Sequence, residues 1–566
     1  VLADRLAALV KGKPEEMKAA AEKLGAQGPT RRGRAGRLRG ASRGGFRPWM
    51  LFAGFGMLIG LVSVIGGLLR QPPAQAPAVQ NDRTAFFGFS SDAGGLPAEV
   101  AAAATEETRT ALNNLGLETA APGDTQGVKL EEQLPRAAAL NARYSLAGNV
   151  LASGDTLSVT IRLDDTQLRS TLWQTTLTGG AAQRESLPVQ AAAKASYLLQ
   201  CLILVRPDMA REDAAALGLV TRACEPASGF DPQGFVAWRE VVRVAPKSVY
   251  AEFQNGGSWF FEAATAPVAE RPAMIAQGRA AFQRARALDP ASPMPRGGLA
   301  MADIASERPL AELLEEINAA IAVGAETSTL KGITIASAYR VGLLSSLGRN
   351  AEAARLGRAD AAADPLNLNL QAAYAAALGG AGQSLESRRV MAAVNRRLAD
   401  PVNWSRYASF EIASRGDLAP LLSVMPPGVS PETVACLQEA ARAVPLRDVA
   451  IRKAAAQRIA GCLRAGATQP GMSISLIASL GDVDTAFAIL DRIQDRSSPL
   501  TFVQTGSSLF FLQSAPLRAD PRFLPLVKKV GIYQYWLDTR TQPDVCDRPE
   551  ERDIEVCREL RKDQGR

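Results

Sequence analysis

No histidine occurs anywhere in the 566 residues, and that absence sorts the chemistry the chain could do. Without imidazole there is no Ser-His-Asp or Cys-His nucleophile pair and no His-ligated metal, while carboxylate and lysine chemistry stay open. Two short patterns could still seat a nucleophile. Gly40-Ala41-Ser42-Arg43-Gly44 spells GxSxG, but no strand precedes it and no imidazole is there to activate the serine. Ser328-Thr329-Leu330-Lys331 fits SxxK without the S-D-N or K-T-G segments that complete such a site. Neither GxxxxGK[ST] nor GxGxxG occurs. The adjacent acids Asp164-Asp165 and Glu315-Glu316 point apart on a strand or helix, so they read as solvated faces rather than acid–base pairs. The expectation is therefore no catalytic residue, no metal and no cofactor: a binding protein rather than an enzyme.

The six cysteines are Cys201, Cys224, Cys436, Cys462, Cys546 and Cys557. An even count suits disulfides in an oxidising compartment. Sequence order favours the short loops Cys201 with Cys224, Cys436 with Cys462, and Cys546 with Cys557, and the other connectivities stay open. Free buried thiols are the alternative. No CxxC spacing points to zinc or to a thioredoxin-like site.

All six follow a segment that divides the chain. Pro48 to Leu69 carries no charge over 22 residues, roughly 33 Å of helix at ~1.5 Å per residue, which matches a ~30 Å hydrocarbon core. A secretory core of about 7 to 15 apolar residues would be shorter and would follow a shorter head. Ala74-Gln75-Ala76 offers a small-x-small pattern, but Pro77 follows it directly. A permanent anchor is the expected reading. Arg31, Arg32, Arg34, Arg37, Arg39, Arg43 and Arg47 precede the run, so the positive-inside rule places residues 1–47 in the cytoplasm. That head holds twelve Lys and Arg against four Asp and Glu, or +8; the whole chain is +7, so everything from Pro48 onward sums to −1. Nucleic-acid binding by the large part loses its electrostatic basis, and the arginines read as topology and anionic-lipid contacts. Gly56 and Gly60 stand at GxxxG spacing, which would let two anchors pack as a homodimer.

Abundant alanine with only 6% aromatic residues favours helices packed through small side chains. After a Pro/Ala linker (70–83) the pattern alternates. TAFFGFS at 84–90 reads as a strand, LPAEVAAAATEETRTALNNLG at 96–116 as a helix closing on Gly116, and VKLEEQLPRAAALN as a helix interrupted near Pro135. Leu157, Val159, Ile161 and Leu163 alternate with polar residues beyond a Ser153-Gly154-Asp155 turn, RSTLWQTTLTG completes a meander, and QRESLPVQAAAKASYLLQCLIL returns to helix. The stretch 84–205 is thus an α/β unit. It resembles the TolB amino-terminal-like module of membrane-anchored bacterial regulators and some adenylate cyclases, with Tyr144, Leu146, Gly148, Val150, Gly154, Leu157, Val159, Leu163, Leu172 and Trp173 at the pattern positions. Those are turn and core positions, so the resemblance implies a fold and no catalytic site.

Residues 206–530 read as helical repeats. Gly278, Phe282, Ala285 and Pro290 show tetratricopeptide spacing, Gly348, Ala353 and Pro365 repeat it, and LGDVDTAFAILDRI at 480–493 is a further copy. At ~34 residues per unit this predicts a solenoid of roughly five to eight helical pairs with a concave face for a protein or peptide ligand. SWFFE at 258–262 is the best contact patch, although core packing explains it better. In the tail, 531–566, Tyr533, Tyr535, Trp536, Pro543, Asp544 and Cys546 resemble the segment closing such arrays in the same regulators, which implies a cap. The expected fold class is mostly α with one α/β domain and a single transmembrane helix. The resemblance implies a bacterial inner-membrane protein, cytoplasmic at its N-terminus, with a periplasmic binding or scaffold body. The alternative is the sensor region of a CadC-like regulator or cyclase. In that reading DNA would be touched only through a domain ahead of Val1, since residues 1–47 are too short for a winged helix.

Overall fold

A computed structural model describes residues 83–565, except 181–182, 226–231, 307, 328–329, 366, 399–400, 423–424, 427 and 494–495. The expected span 48–69, the arginines of the head, Gly56, Gly60, Ser42 and Ser328 lie outside the described residues.

Strands β1 (Thr84–Ser90), β2 (Tyr144–Ser153), β3 (Thr156–Asp165) and β4 (Ser170–Gly180) form one mixed sheet in the order β1-β2-β3-β4. β1 runs parallel to β2 and the others are antiparallel. The hairpin between β2 and β3 turns at Gly154 (φ 59°), and Leu157, Val159, Ile161 and Leu163 are all buried, as their alternation requires. Gly148 faces the ring of Phe89, which occupies the space a Cβ would need. Helices α1 (Leu96–Asn114), α2 (Pro122–Thr125), α3 (Leu130–Ala139) and α4 (Ser186–Val205) complete the unit. α1 ends where Gly116 takes φ 68° and the Leu117 amide reaches back 3.1 Å to the Leu112 carbonyl. α3 runs straight through Pro135, where an interruption was expected. Pro135 is its sixth residue, so the missing amide bond falls on the exposed first turn, which limits the cost.

α4, with its 3₁₀ extension to Asp208, is the one described segment long and apolar enough to cross a membrane. Its apolarity has a local cause: it packs on β3, β4 and α1, and Leu187, Ala191, Ala195, Leu198, Leu202 and Val205 are buried.

The rest is helical: α5 (Ala214–Cys224), α6 (Pro232–Val244), α7 (Val249–Thr265), α8 (Arg271–Leu288), α9 (Pro293–Asp303), α10 (Leu310–Thr327), α11 (Leu330–Ser346), α12 (Asn350–Ala363), α13 (Leu368–Gly380) and α14 (Ser384–Leu398). Then follow α15 (Pro401–Arg415), α16 (Ala419–Leu422), α17 (Pro431–Ala443), α18 (Val449–Arg464), α19 (Pro470–Ser479), α20 (Val483–Ile493) and α21 (Pro499–Leu509). The short α22 (Ala515–Ala519), α23 (Phe523–Lys529), α24 (Ile532–Thr539) and α25 (Glu555–Asp563) end the chain. Many starts are written in the sequence: Asp213, Ser248, Asn367, Ser430, Asp448 and Ser498 each cap an orphan amide with a side-chain oxygen. One buried cluster runs from Tyr144 and Leu163 through Leu202 and Trp238 to Phe282, Trp404 and Trp536, and α4 packs directly on α14. The α/β unit and the helices therefore share a core.

Candidate binding groove

From α7 to α14 each helix packs on the next, and alternate members also touch: α7 on α9, α9 on α11, α11 on α13. Glycine and alanine permit that closeness. Phe282 of α8 is fully buried with its ring against Gly256 of α7 and Gly298 of α9, where added Cβ atoms would fall 2.5 and 2.8 Å from ring carbons. Gly278 likewise sits under the ring of Phe260, so Phe260 of SWFFE is core, while Trp259 and Phe261 are half-buried.

The inner set α7, α9, α11 and α13 presents one common face, and that face is already occupied. Helix α21 crosses all four and is backed by α19. Small residues set its depth: a Cβ on Gly506 would stand 2.7 Å from the Ser346 Cβ, one on Gly342 would stand 3.0 Å from Val503, and one on Gly471 would stand 2.9 Å from the Gln504 carbonyl oxygen. Phe502 and Thr505 of α21 are fully buried. The face shared by α7, α9, α11 and α13 is thus covered by a helix of the same chain. Sequence reasoning missed this because PLTFVQTGSSL carries no mark distinguishing a groove-filling helix from another repeat; its excess of small residues was the available signal.

The tail packs on the end of α21, where Trp536 meets Phe510, and also runs along the turns that follow the inner helices. In the connection before α21, Arg496 donates to the carbonyls of Ile304 and Arg308, both at 2.7 Å; in the tail, the Trp536 indole donates to Leu347 and Arg548 donates to the Gly380 carbonyl. Asp544 accepts from the Ala351 amide at 2.6 Å, capping α12, while its own amide reaches the Gly348 carbonyl. The physical reason is that these turns leave unpaired helix-end groups beside a buried seam. Burial holds the Asp544 carboxyl above the usual range. Behind this row Arg518, 1% exposed, forks onto Glu551 at 2.6 and 2.8 Å and donates to the Leu509 and Phe511 carbonyls.

All six cysteines pair as their order suggested. Cys201–Cys224 ties α4 to α5, Cys436–Cys462 ties α17 to α18, and Cys546–Cys557 closes the tail, with Cα separations of 5.7, 6.4 and 5.5 Å. The acid pairs divide. Glu315 and Glu316 are exposed, but Asp164 and Asp165 are buried, contrary to the solvated face expected of them. They do point apart. Asp164 takes Arg162 and Thr171, while Asp165 takes Arg143 at 3.0 Å and Arg206 at 2.7 Å, beside Glu212 and the Tyr144 hydroxyl. Charge alone suggested solvent; two arginines far apart in sequence make burial tolerable. This cluster clamps the ends of β2 and β3 to the turn after α4.

Among the described residues no group of three His, Cys, Asp or Glu could hold a metal. Two open cavities stand out, about 300 Å³ between α1 and α4 and about 370 Å³ between α18 and α20, the latter lined by Gln457, Arg464, Thr485 and Arg492. Neither pairs an acid with a nucleophile. No protein-family model matches the chain, and no curated protein matches it either.

Proposed function

We propose that the chain is a single-pass protein of a bacterial inner membrane whose body lies on the periplasmic side and serves as a scaffold for a protein or peptide partner. The observation that carries this reading is the side on which the disulfides fall. All three bridges follow the apolar run 48–69, and a head of +8 precedes it. The alternating packing of α7 to α14 supports a tetratricopeptide-like origin for the helical part, and the sheet order supports the TolB-like comparison for 84–205. With α21 seated on the inner face, the partner belongs on the outer surfaces unless it displaces that helix. Reporter fusions test the topology: a fusion at residue 80 should be active only outside the cytoplasm and one at residue 30 only inside, and the reverse pattern overturns the proposal.

The core shared by the α/β unit and the helices favours a second reading, a sensor region. β1 is the first described element, so a ligand that shifts the helices would act on the amino-terminal end of the body through one packed core. An in-frame effector domain encoded ahead of Val1 would support it, and a stop codon there would sink it.

A further inference from the structure

The turn between α17 and α18 breaks the rule that aliphatic side chains are covered. Pro445 to Ile451 is a run of seven exposed residues, and within it Val449 is 77% exposed, more than any other large hydrophobic residue described. Leu446 at 41% and Ile451 at 48% flank it. Along this stretch of the sequence the charge is one-sided, and the exposed Asp417, next to the Gly416 that packs on Pro445, is the acid brought near from elsewhere. Between Glu439 and Asp482 the sequence has six cations, Arg442, Arg447, Arg452, Lys453, Arg458 and Arg464, against the single acid Asp448, a local +5 in a body that sums to −1. Asp448 is engaged as the cap of α18, accepting from the Ala450 and Ile451 amides at 2.8 and 3.1 Å. Arg452 is spent on the Ser479 and Leu480 carbonyls and Arg458 faces Glu439, whereas Arg442, Arg447 and Lys453 are exposed and make no ion pair among the described residues. The Cys436–Cys462 bridge joins the two helices that carry the tip, so it is presented on a stiff hairpin.

Three aliphatic side chains at a tip ringed by free cations have the chemistry of an interfacial lipid contact. The aliphatic groups enter the acyl boundary and the cations meet lipid phosphates. We infer that the α17–α18 tip docks on the surface of an anionic phospholipid bilayer, with Leu446, Val449 and Ile451 inserted and Arg442, Arg447 and Lys453 at the headgroups. The inference rests on the anchored reading for the bilayer within reach. A single tip of this kind is weak alone; the anchor supplies the high local concentration that makes it effective.

The test is amide hydrogen exchange on the full chain in nanodiscs of phosphatidylglycerol with phosphatidylcholine, against phosphatidylcholine alone. Amides of 446–453 should exchange about tenfold more slowly in the anionic discs. R447E with K453E should remove that difference, as should V449D with I451D, while exchange in the rest of α17 and α18 stays unchanged and reports an intact fold. Equal exchange in the two disc types, or a difference that survives both double variants, overturns the inference. If the chain fails to co-elute with discs, the anchored reading falls instead. Co-sedimentation of the same chain with anionic and with phosphatidylcholine vesicles then decides the tip alone: equal partition overturns it, and preference for anionic vesicles upholds it.

Discussion

The indole N–H of Trp536 donates to the main-chain carbonyl of Leu347 at 2.9 Å, joining two residues 189 positions apart. Both are fully buried, and the Trp536 ring meets Phe510 and Tyr533 edge-on at 6.1 and 6.2 Å between centroids. Trp536→Phe keeps most of the ring but orphans the carbonyl, at a cost of about 1–3 kcal/mol. Trp536→Ala also empties the site and should cost ~3–5 kcal/mol. Urea unfolding curves of the two variants should separate in that order.

Arg518 and Glu551 form a buried fork, and removing Arg518 leaves Glu551 with Arg548, at 3.1 Å, as its remaining cation. Arg518→Met should destabilise by about 3–5 kcal/mol. The double variant with Glu551→Gln should lose less than the single one, since no buried carboxylate that has lost its bidentate partner then remains. A double-mutant cycle from chemical denaturation reads the coupling; simple additivity would contradict this account.

The seat of α21 depends on Gly506. Gly506→Val pushes a side chain into Ser346 and should cost roughly 1–3 kcal/mol by overpacking. Limited proteolysis should then cut between α20 and α21 more readily than in the parent chain. Adding Ser346→Gly should recover part of the loss, less the ~1 kcal/mol that glycine costs inside a helix.

Replacing Cys436 and Cys462 together by serine should lower stability by ~2–4 kcal/mol and leave the other two bridges intact, as peptide mapping under non-reducing conditions would show. Reduction of the parent chain should give a larger loss than this single deletion, because three loops then open.

Tyr250 is buried, and burial pushes its phenol up to about 12 from an ordinary value of 10. The folded state therefore keeps a proton that the unfolded chain releases. The stabilising contribution is complete below about pH 10 and is lost as pH rises from there toward 12. Burial pushes Tyr339 in the same direction. In a titration followed by tyrosinate absorbance, part of the signal should appear only with unfolding, and Tyr250→Phe should flatten the alkaline fall in stability.

Local patterns were legible where a single element decides the outcome. The alternation in β3, the Gly154 turn, the closure at Gly116 and the three short-loop disulfides all follow from neighbours in sequence. What was illegible depends on groups brought from far away. Asp165 reads as a surface acid until Arg143 and Arg206 are placed beside it. Likewise α21 reads as one more repeat until α7, α9, α11 and α13 are seen to share a face. The helical content was therefore foreseeable, but the seating of α21 was not, because periodicity reports which face of a helix is buried and never against what.

That seating has a bearing on how the molecule is made. Helices α7 to α14 leave the ribosome well before α21 and the tail that fills the seam between them. Until residues 496–548 arrive, the inner face of α9, α11 and α13 has no cover, and the bonds from Arg496, Trp536 and Arg548 span 168 to 192 residues. Pairings so distant close late and slowly, and in the interval an exposed apolar seam invites association with other chains. A nascent chain stalled or truncated before Pro499 should consequently be a substrate for chaperones and proteases rather than a shorter working protein.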